Sequence, residues 1–219
     1  MENVTDWTSN PFGMRPACET PCSASTEAVF GYGDANADFH VIGDHPGVHG
    51  GARTGVPFTD SPVGEAIQRT LFETGFADEP YSDAPELEEC FLSYLHMCCP
   101  PDGGDPSPSS YAEMERFFDA ELRAIAAHVL LPVGARATEH VIENYTAQVE
   151  RIEIDMEALH ASEIRGSGFL VVPIREPTKW TEGDGGRLID SLSTIRGSDY
   201  RRTADLSRFL GSDELYFVR

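Results

Sequence analysis

The sequence predicts a three-layer α/β/α sandwich built on a four-stranded parallel sheet, and three observations carry that expectation. Short apolar runs of strand length alternate with longer stretches whose apolar residues recur at helical spacing, the pattern of consecutive βα units. The strand candidates run into loops rich in glycine and proline. With 219 residues, 40% of them hydrophobic, the chain can bury a sizeable core in one domain. No repeat or long linker divides residues 1–219, which read as a single domain.

Residues 1–28 read as an extended arm, because Pro11, Gly13, Pro16 and Pro21 break any helix there. The first strand is expected at 39–42. It runs into Gly43-Asp44-His45-Pro46-Gly47, a turn-rich loop that continues through Gly50, Gly51 and Gly55 to Pro57-Phe58. A helix follows, with Ser61 as N-cap, Pro62 in the first turn, and Val63, Ile67 and Leu71 as its apolar stripe. Gly75 suits its end. The second strand is expected at 91–95. A long helix begins near Pro108 and buries Met114, Phe117, Phe118, Leu122 and Ile125. The third strand, 129–133, ends at Gly134, and a helix from Ala135 carries Val141, Ile142 and Tyr145. Residues 147–166 are polar and give no assignment. The fourth strand, 169–172, ends at Pro173. Residues 181–219 read as a helical extension, with helices near 187–193 and 203–210. Alternating strands and helices imply right-handed crossovers and a parallel sheet. Ligands of such sheets bind at the carboxyl ends of the strands, where loops 43–58, 97–106 and 173–180 are expected.

The formal net charge is -21, from 37 acidic and 16 basic residues spread along the whole chain. The core segments argue against disorder, so the acidity reads as adaptation to high salt. Such a charge repels nucleic-acid phosphates in dilute buffer. At about 1 M salt, however, the screening length is only ~3 Å, and short-range contacts then decide binding. The N-terminus shows neither a basic n-region nor an apolar h-region, and nothing resembles a membrane span. A cytoplasmic, monomeric protein is expected. In that compartment Cys18, Cys22, Cys90, Cys98 and Cys99 are expected to be thiols or metal ligands rather than disulfides.

Three loop segments share a family likeness. Val29-Phe30-Gly31-Tyr32-Gly33, a strand, Gly43-Asp44-His45-Pro46-Gly47 and Thr54-Gly55-Val56-Pro57-Phe58 follow in the order V-F-G-E-G, strand, G-E-A-P-G, T-G-x-P-F. Cys98-x-Pro100-Pro101 is similar to K-C-R-P-P, and Leu131-Pro132-Val133-Gly134-Ala135-Arg136-Ala137 keeps its place. Across residues 18–178 the chain resembles the family 4, iron–sulfur type of uracil-DNA glycosylases. That resemblance implies DNA as partner and base excision as chemistry: a nucleotide is flipped into a pocket and its glycosidic bond is hydrolysed.

The same resemblance assigns roles. Asp44 takes the place of the first-motif acid, to orient water or stabilise the sugar cation; capping the loop is the alternative. Gly43 and His45 flank it as base-binding candidates, His45 being able to bind phosphate, act as an acid or simply fill the turn. Phe58 corresponds to the aromatic that stacks on the flipped base, or is a core residue. Tyr94 stands where an Asn reads the uracil edge, and it lacks the amide's paired donor and acceptor. Glu176 stands where a His donates to the uracil oxygen. Arg175 is a candidate for an oxyanion or phosphate contact, as His49 is for phosphate. Lys179 and Trp180 fall on the duplex-penetrating loop, where Trp180 wedges into the stack or packs inward. A [4Fe–4S] cluster is implied on Cys18, Cys22 and Cys98. Met114 occupies the fourth ligand position, so Cys99 is the remaining candidate; zinc or no metal are the alternatives. A different hydrolase or small-molecule binder would use Asp44, His45, His96 and Glu176 as its acid/base set.

Overall fold

The computed structural model describes residues 8–100, 104–146, 152–166 and 168–198. In chain order these form strands β1 (Thr8–Ser9), β2 (Tyr32–Gly33) and β3 (Phe39–Gly43), helices α1 (Pro46–His49) and α2 (Pro62–Glu73), strand β4 (Cys90–Tyr94), helix α3 (Pro108–Ile125), strand β5 (Val129–Pro132), helices α4 (Gly134–Tyr145) and α5 (Met156–Leu159), strands β6 (Ile164–Arg165) and β7 (Leu170–Val171), a 3-10 turn (Pro177–Lys179), and helix α6 (Asp184–Arg196). The helix expected at 203–210 lies outside the described residues.

The three-layer arrangement agrees with the sequence reading, but the sheet is wider. Its order is β1-β2-β4-β3-β5-β7-β6. The expected parallel strands β4, β3, β5 and β7 form the centre. Beyond them β2 and β6 pair antiparallel, and β1 adds to β2. These edge strands have two residues each, too few to leave a periodic signal. The arm is therefore part of the sheet: Asn10 N–H donates to Gly31 O at 2.8 Å, and Phe12 meets the Phe91 ring at 6.3 Å.

Alternation along the strands makes two cores. Val41, Leu92, Val129, Leu131 and Val172 pack with Val63, Ile67 and Leu71 of α2 and Leu188, Leu192 and Ile195 of α6. Ile42, Leu130 and Val171 pack on the other face with Phe118 and Leu122 of α3 and Val141 and Ile142 of α4. The caps follow the sequence: Ser61 Oγ accepts from Gly64 N–H at 3.0 Å, and Ser107 Oγ from Ser110 N–H at 3.2 Å. From β3 the chain crosses to β4 on one side and then back to β5 on the other, so the direction of strand addition reverses between β3 and β5. That is the switch point where a crevice opens.

One polar group breaks the apolar interior. Glu121 of α3 is fully buried beside Ser93 and Gly31, and neither carboxyl oxygen reaches a well-formed hydrogen bond. His40 is also fully buried, its Nε2 2.7 Å from Ser93 Oγ. Burial raises the Glu121 pKa from 4.5 to about 8 and lowers that of His40 from 6.5 to about 3. Folding thus keeps both groups neutral. Between pH 4.5 and 8 the unfolded chain gives up the proton that folded Glu121 retains, so this term falls with rising pH. Below pH 6.5 the unfolded chain takes up a proton that folded His40 refuses, so that term falls with falling pH. The two oppose each other up to pH 6.5, and only the Glu121 slope, at most ~1.4 kcal/mol per pH unit, remains above it. Glu121→Gln should flatten the loss of stability from pH 6.5 to 8, as read by denaturant unfolding in molar KCl; an unchanged slope would show that Glu121 is ionised in the folded state.

Candidate active site

The carboxyl ends of β3, β4 and β7 converge through side chains of the loops that follow them. Gly43 ends β3 opposite Tyr94 of β4. A Cβ on Gly43 would lie 2.6 Å from His49 Nδ1 and 2.7 Å from the Tyr94 ring, so the missing side chain is what lets both rings approach the strand. The single-turn helix α1 then brings His49 back over its end. Asp44 N–H donates to His49 Nδ1 at 2.9 Å. With Nδ1 accepting, the ring proton sits on Nε2 and is donated to Glu176 Oε2 at 3.1 Å. Glu176 Oε1 is buried without a hydrogen-bond partner. Gly134, at φ +82°, leaves room for this pair: a Cβ there would come within 3.1 Å of Glu176 Oε2.

Asp44 is held at its carboxylate by two groups that the sequence reading did not single out. Tyr111 OH donates to Oδ1, and Arg136 Nε donates to Oδ2 at 3.2 Å. Arg136 also lies over the Tyr111 ring, 4.8 Å from its centroid. Burial, with Asp44 beside it, pushes the Tyr111 hydroxyl pKa up and keeps it a donor. Arg136 could have been found from sequence. A cation in the first turn of a helix opposes the macrodipole, so it calls for an anionic partner. Tyr111 left no comparable signal.

Several expected site residues have other roles. Tyr94 is fully buried, and its hydroxyl accepts from Phe58 N–H at 2.7 Å and donates to Gly50 O at 3.0 Å. Both capacities are spent on the loop, and burial drives its pKa up. Phe58 is fully buried at φ +56°, stacked on His49 with ring centroids 5.5 Å apart and edge-on to Tyr94 at 5.2 Å. The inner wall expected to enclose a base is therefore occupied by three packed rings. In this conformation Phe58 and Tyr94 have no free surface to offer a ligand.

His45 caps α1, its Nδ1 accepting from Gly47 N–H at 3.1 Å, and its Nε2 lies 3.5 Å from Asp105 Oδ1. Burial lowers its pKa. His96 lies between Cys98 O at 2.8 Å and Ser110 Oγ at 2.7 Å, also with a pKa lowered by burial. Arg175 does not reach Glu176's partners. Its guanidinium turns to Asp184, at 3.4 Å, and to Glu157, at 3.9 Å, because Asp184 anchors the start of α6 through Thr181 and Arg187. Trp180 packs inward against the core, with its indole N–H donated to Arg175 O at 2.6 Å. Lys179 is exposed at the same rim.

The cysteines converge as the resemblance implied, but in a different chemical state. Cys18 bonds to Cys98 and Cys22 to Cys99, with Cα atoms 5.4 and 5.0 Å apart, where thiols or metal ligands were expected. The two disulfides staple the arm to the loop after β4. Met114 is buried in the same cluster. Among the described residues no group of three or more His, Cys, Asp or Glu is arranged to hold a metal ion. Cys90 is a buried thiol whose pKa burial pushes up.

Tyr94→Phe should cost about 1–3 kcal/mol in denaturant unfolding, since it orphans the buried Phe58 N–H. No loss of stability would mean that the hydroxyl does not hold the loop.

Comparison with known proteins gives a consistent picture. A family model described as the uracil DNA glycosylase superfamily matches residues 30–183. A type-5 uracil-DNA glycosylase of Pyrobaculum aerophilum is 24% identical over 168 residues, 75% of this chain and 71% of that protein. One from Thermus thermophilus is 31% identical over 121 residues, 53% of this chain and 55% of that protein. One from Mycobacterium bovis is 27% identical over 105 residues, 46% and 39% of the two chains. The matches thus span about half or less of the last two relatives. All three carry the type-5 name, whereas the motifs quoted above resemble the family 4 type. The matched segment holds Asp44, His49, Tyr111, Arg136 and Glu176, and the chain belongs to the uracil-DNA glycosylase superfamily.

Proposed function

We propose that this chain is a DNA repair glycosylase that hydrolyses the N-glycosidic bond of uracil or another deaminated base. The observation that carries the reading is the junction of Asp44 and Glu176 through His49 at the strand ends. Bond cleavage builds positive charge on the sugar and negative charge on the leaving base. Asp44, held by Tyr111 and Arg136, supplies the fixed anion that stabilises the sugar cation or orients the attacking water. Glu176 replaces the implied histidine. His49 donates to its Oε2, which orients the carboxyl group at the strand ends. His49 is a positioning residue in this scheme. The filled inner wall means that base selection rests on the rim, and the identity of the damaged base follows from that rim rather than from Tyr94.

Binding to DNA with a net charge of -21 calls for high salt, with exposed Lys179 as a contact. The finer resemblance to the iron–sulfur type is supported by the convergence of Cys18, Cys22, Cys98 and Cys99. When reduced, they form a four-thiolate donor set of the kind that holds a [4Fe–4S] cluster, a group that would tie the arm to the loop after β4. No chemical step needs it. The burial of Phe58 and Tyr94 favours a second reading, a glycosylase-like protein that binds DNA without turnover.

Uracil-containing oligonucleotides in molar KCl, followed by cleavage at abasic sites, separate the two readings. Base release is expected, with Asp44→Asn lowering turnover by ~10²-fold or more while DNA affinity stays within a few-fold. Retarded DNA without release of uracil or another deaminated base, at any salt, would establish the non-catalytic reading. Protein purified without oxygen should show a broad absorbance near 400 nm if the cluster forms. Titration of the denatured, unreduced chain that finds Cys90 as the single free thiol, with no iron, would instead establish the disulfides.

A further inference from the structure

Asp44 provides an anion for the sugar, yet the departing base still needs a positive partner. Glu176 stands where a donating histidine is implied, and the Tyr94 hydroxyl is spent on the loop. Arg53 is paired with Asp60 and Asp83, and Arg175 is turned to Asp184 and Glu157. Arg136 differs. Its Nε donates to Asp44 Oδ2 at 3.2 Å, and its guanidinium carbon lies 4.8 Å from the centroid of the Tyr111 ring. The hydroxyl of that ring donates to the other oxygen of the same carboxylate. These three contacts close a triangle that holds the guanidinium in place. The side chain is nevertheless half-exposed, and its two Nη groups meet no acceptor among the described residues. Helix α4, in whose first turn Arg136 sits, begins without a side-chain cap. The helix end and the guanidinium thus both favour negative charge at one place.

We infer that Arg136 is a catalytic residue of the glycosylase reading, on which this inference rests: its Nη groups donate to the carbonyl oxygen where the departing base gathers negative charge. The bond from C1′ of the sugar to the base nitrogen breaks, and its electron pair leaves with the base and spreads onto the ring oxygens. Water then adds its oxygen to C1′, and the proton it gives up ends on the base. A guanidinium meets that charge with a positive charge and a fork of N–H donors. Donors aimed at charge that develops only in the transition state speed the step without tightening substrate binding. One arginine so serves both developing charges. Nε holds the carboxylate that faces the sugar, and Nη is left for the base.

Single-turnover release from oligonucleotides carrying uracil or 5-fluorouracil at the same position, in molar KCl, tests it. Fluorine stabilises the departing anion, so 5-fluorouracil needs less help to leave. Arg136→Gln should slow release of uracil by ~10²-fold and that of 5-fluorouracil by only about tenfold, with melting unchanged and DNA affinity within a few-fold. Arg136→Lys, which keeps the charge but loses the fork, should fall between wild type and Arg136→Gln. Equal losses on the two bases would make Arg136 a holder of Asp44 alone, and a loss confined to DNA affinity would make it a phosphate contact; either overturns the inference. Release that Arg136→Gln leaves unchanged overturns the inference and spares the glycosylase reading. Wild type that releases neither base overturns both.

Discussion

The imidazole of His49 is the joint on which the rest of the site depends. Its Nδ1 accepts from the backbone that leaves β3, its Nε2–H is given to a carboxylate that follows β7, and its face lies on Phe58. A neutral ring is the one protonation state that offers one acceptor and one donor at once. The loop from Gly43 to Phe58 is thereby tied to a segment more than a hundred residues away. Two glycines make the joint sterically possible, because side chains at Gly43 and Gly134 would occupy the space of the His49, Tyr94 and Glu176 side chains.

Seen from this joint, the two departures from the family motifs form one rearrangement. Tyr94 in place of an amide fills the inner cavity with a ring and uses its hydroxyl to hold Phe58 in a left-handed backbone conformation. Such a conformation costs of order 1–3 kcal/mol unless its surroundings fix it. Glu176 in place of a histidine then takes the His49 proton as its partner. Together they move the polar groups outward, to a rim where Asp44 and Glu176 are the partly exposed acids. Arg136 offsets the charge of Asp44 there, at some cost from its position in the first turn of α4.

Most of the frame was legible in the sequence. The strands that carry both cores are runs such as Phe39–Gly43, and helix α2 begins at the cap Ser61, whose chemistry is local. The edge strands were not legible, since two residues carry no period and their pairing is decided by the neighbouring strand. At the site, motif order located Asp44, Phe58, Tyr94 and Glu176, because the family's loops follow fixed strands. What spacing does not encode is direction. Arg175 turned to Asp184 rather than to Glu176, for the acid anchors α6 and draws the guanidinium with it. His49 was read as a phosphate contact, because its partner Glu176 is remote in sequence. The cysteines were grouped correctly, yet their oxidation state is a matter of redox poise rather than of sequence.

The most direct test of the His49 joint is its tautomer, read from ¹⁵N chemical shifts and two-bond ¹H–¹⁵N couplings of the ring at neutral pH. A protonated Nε2 with a bare, hydrogen-bonded Nδ1 is expected, and Glu176→Gln should shift the Nε2 signal more than the Nδ1 signal. A proton on Nδ1, or a doubly protonated ring, would break the link to the Asp44 backbone and contradict the arrangement.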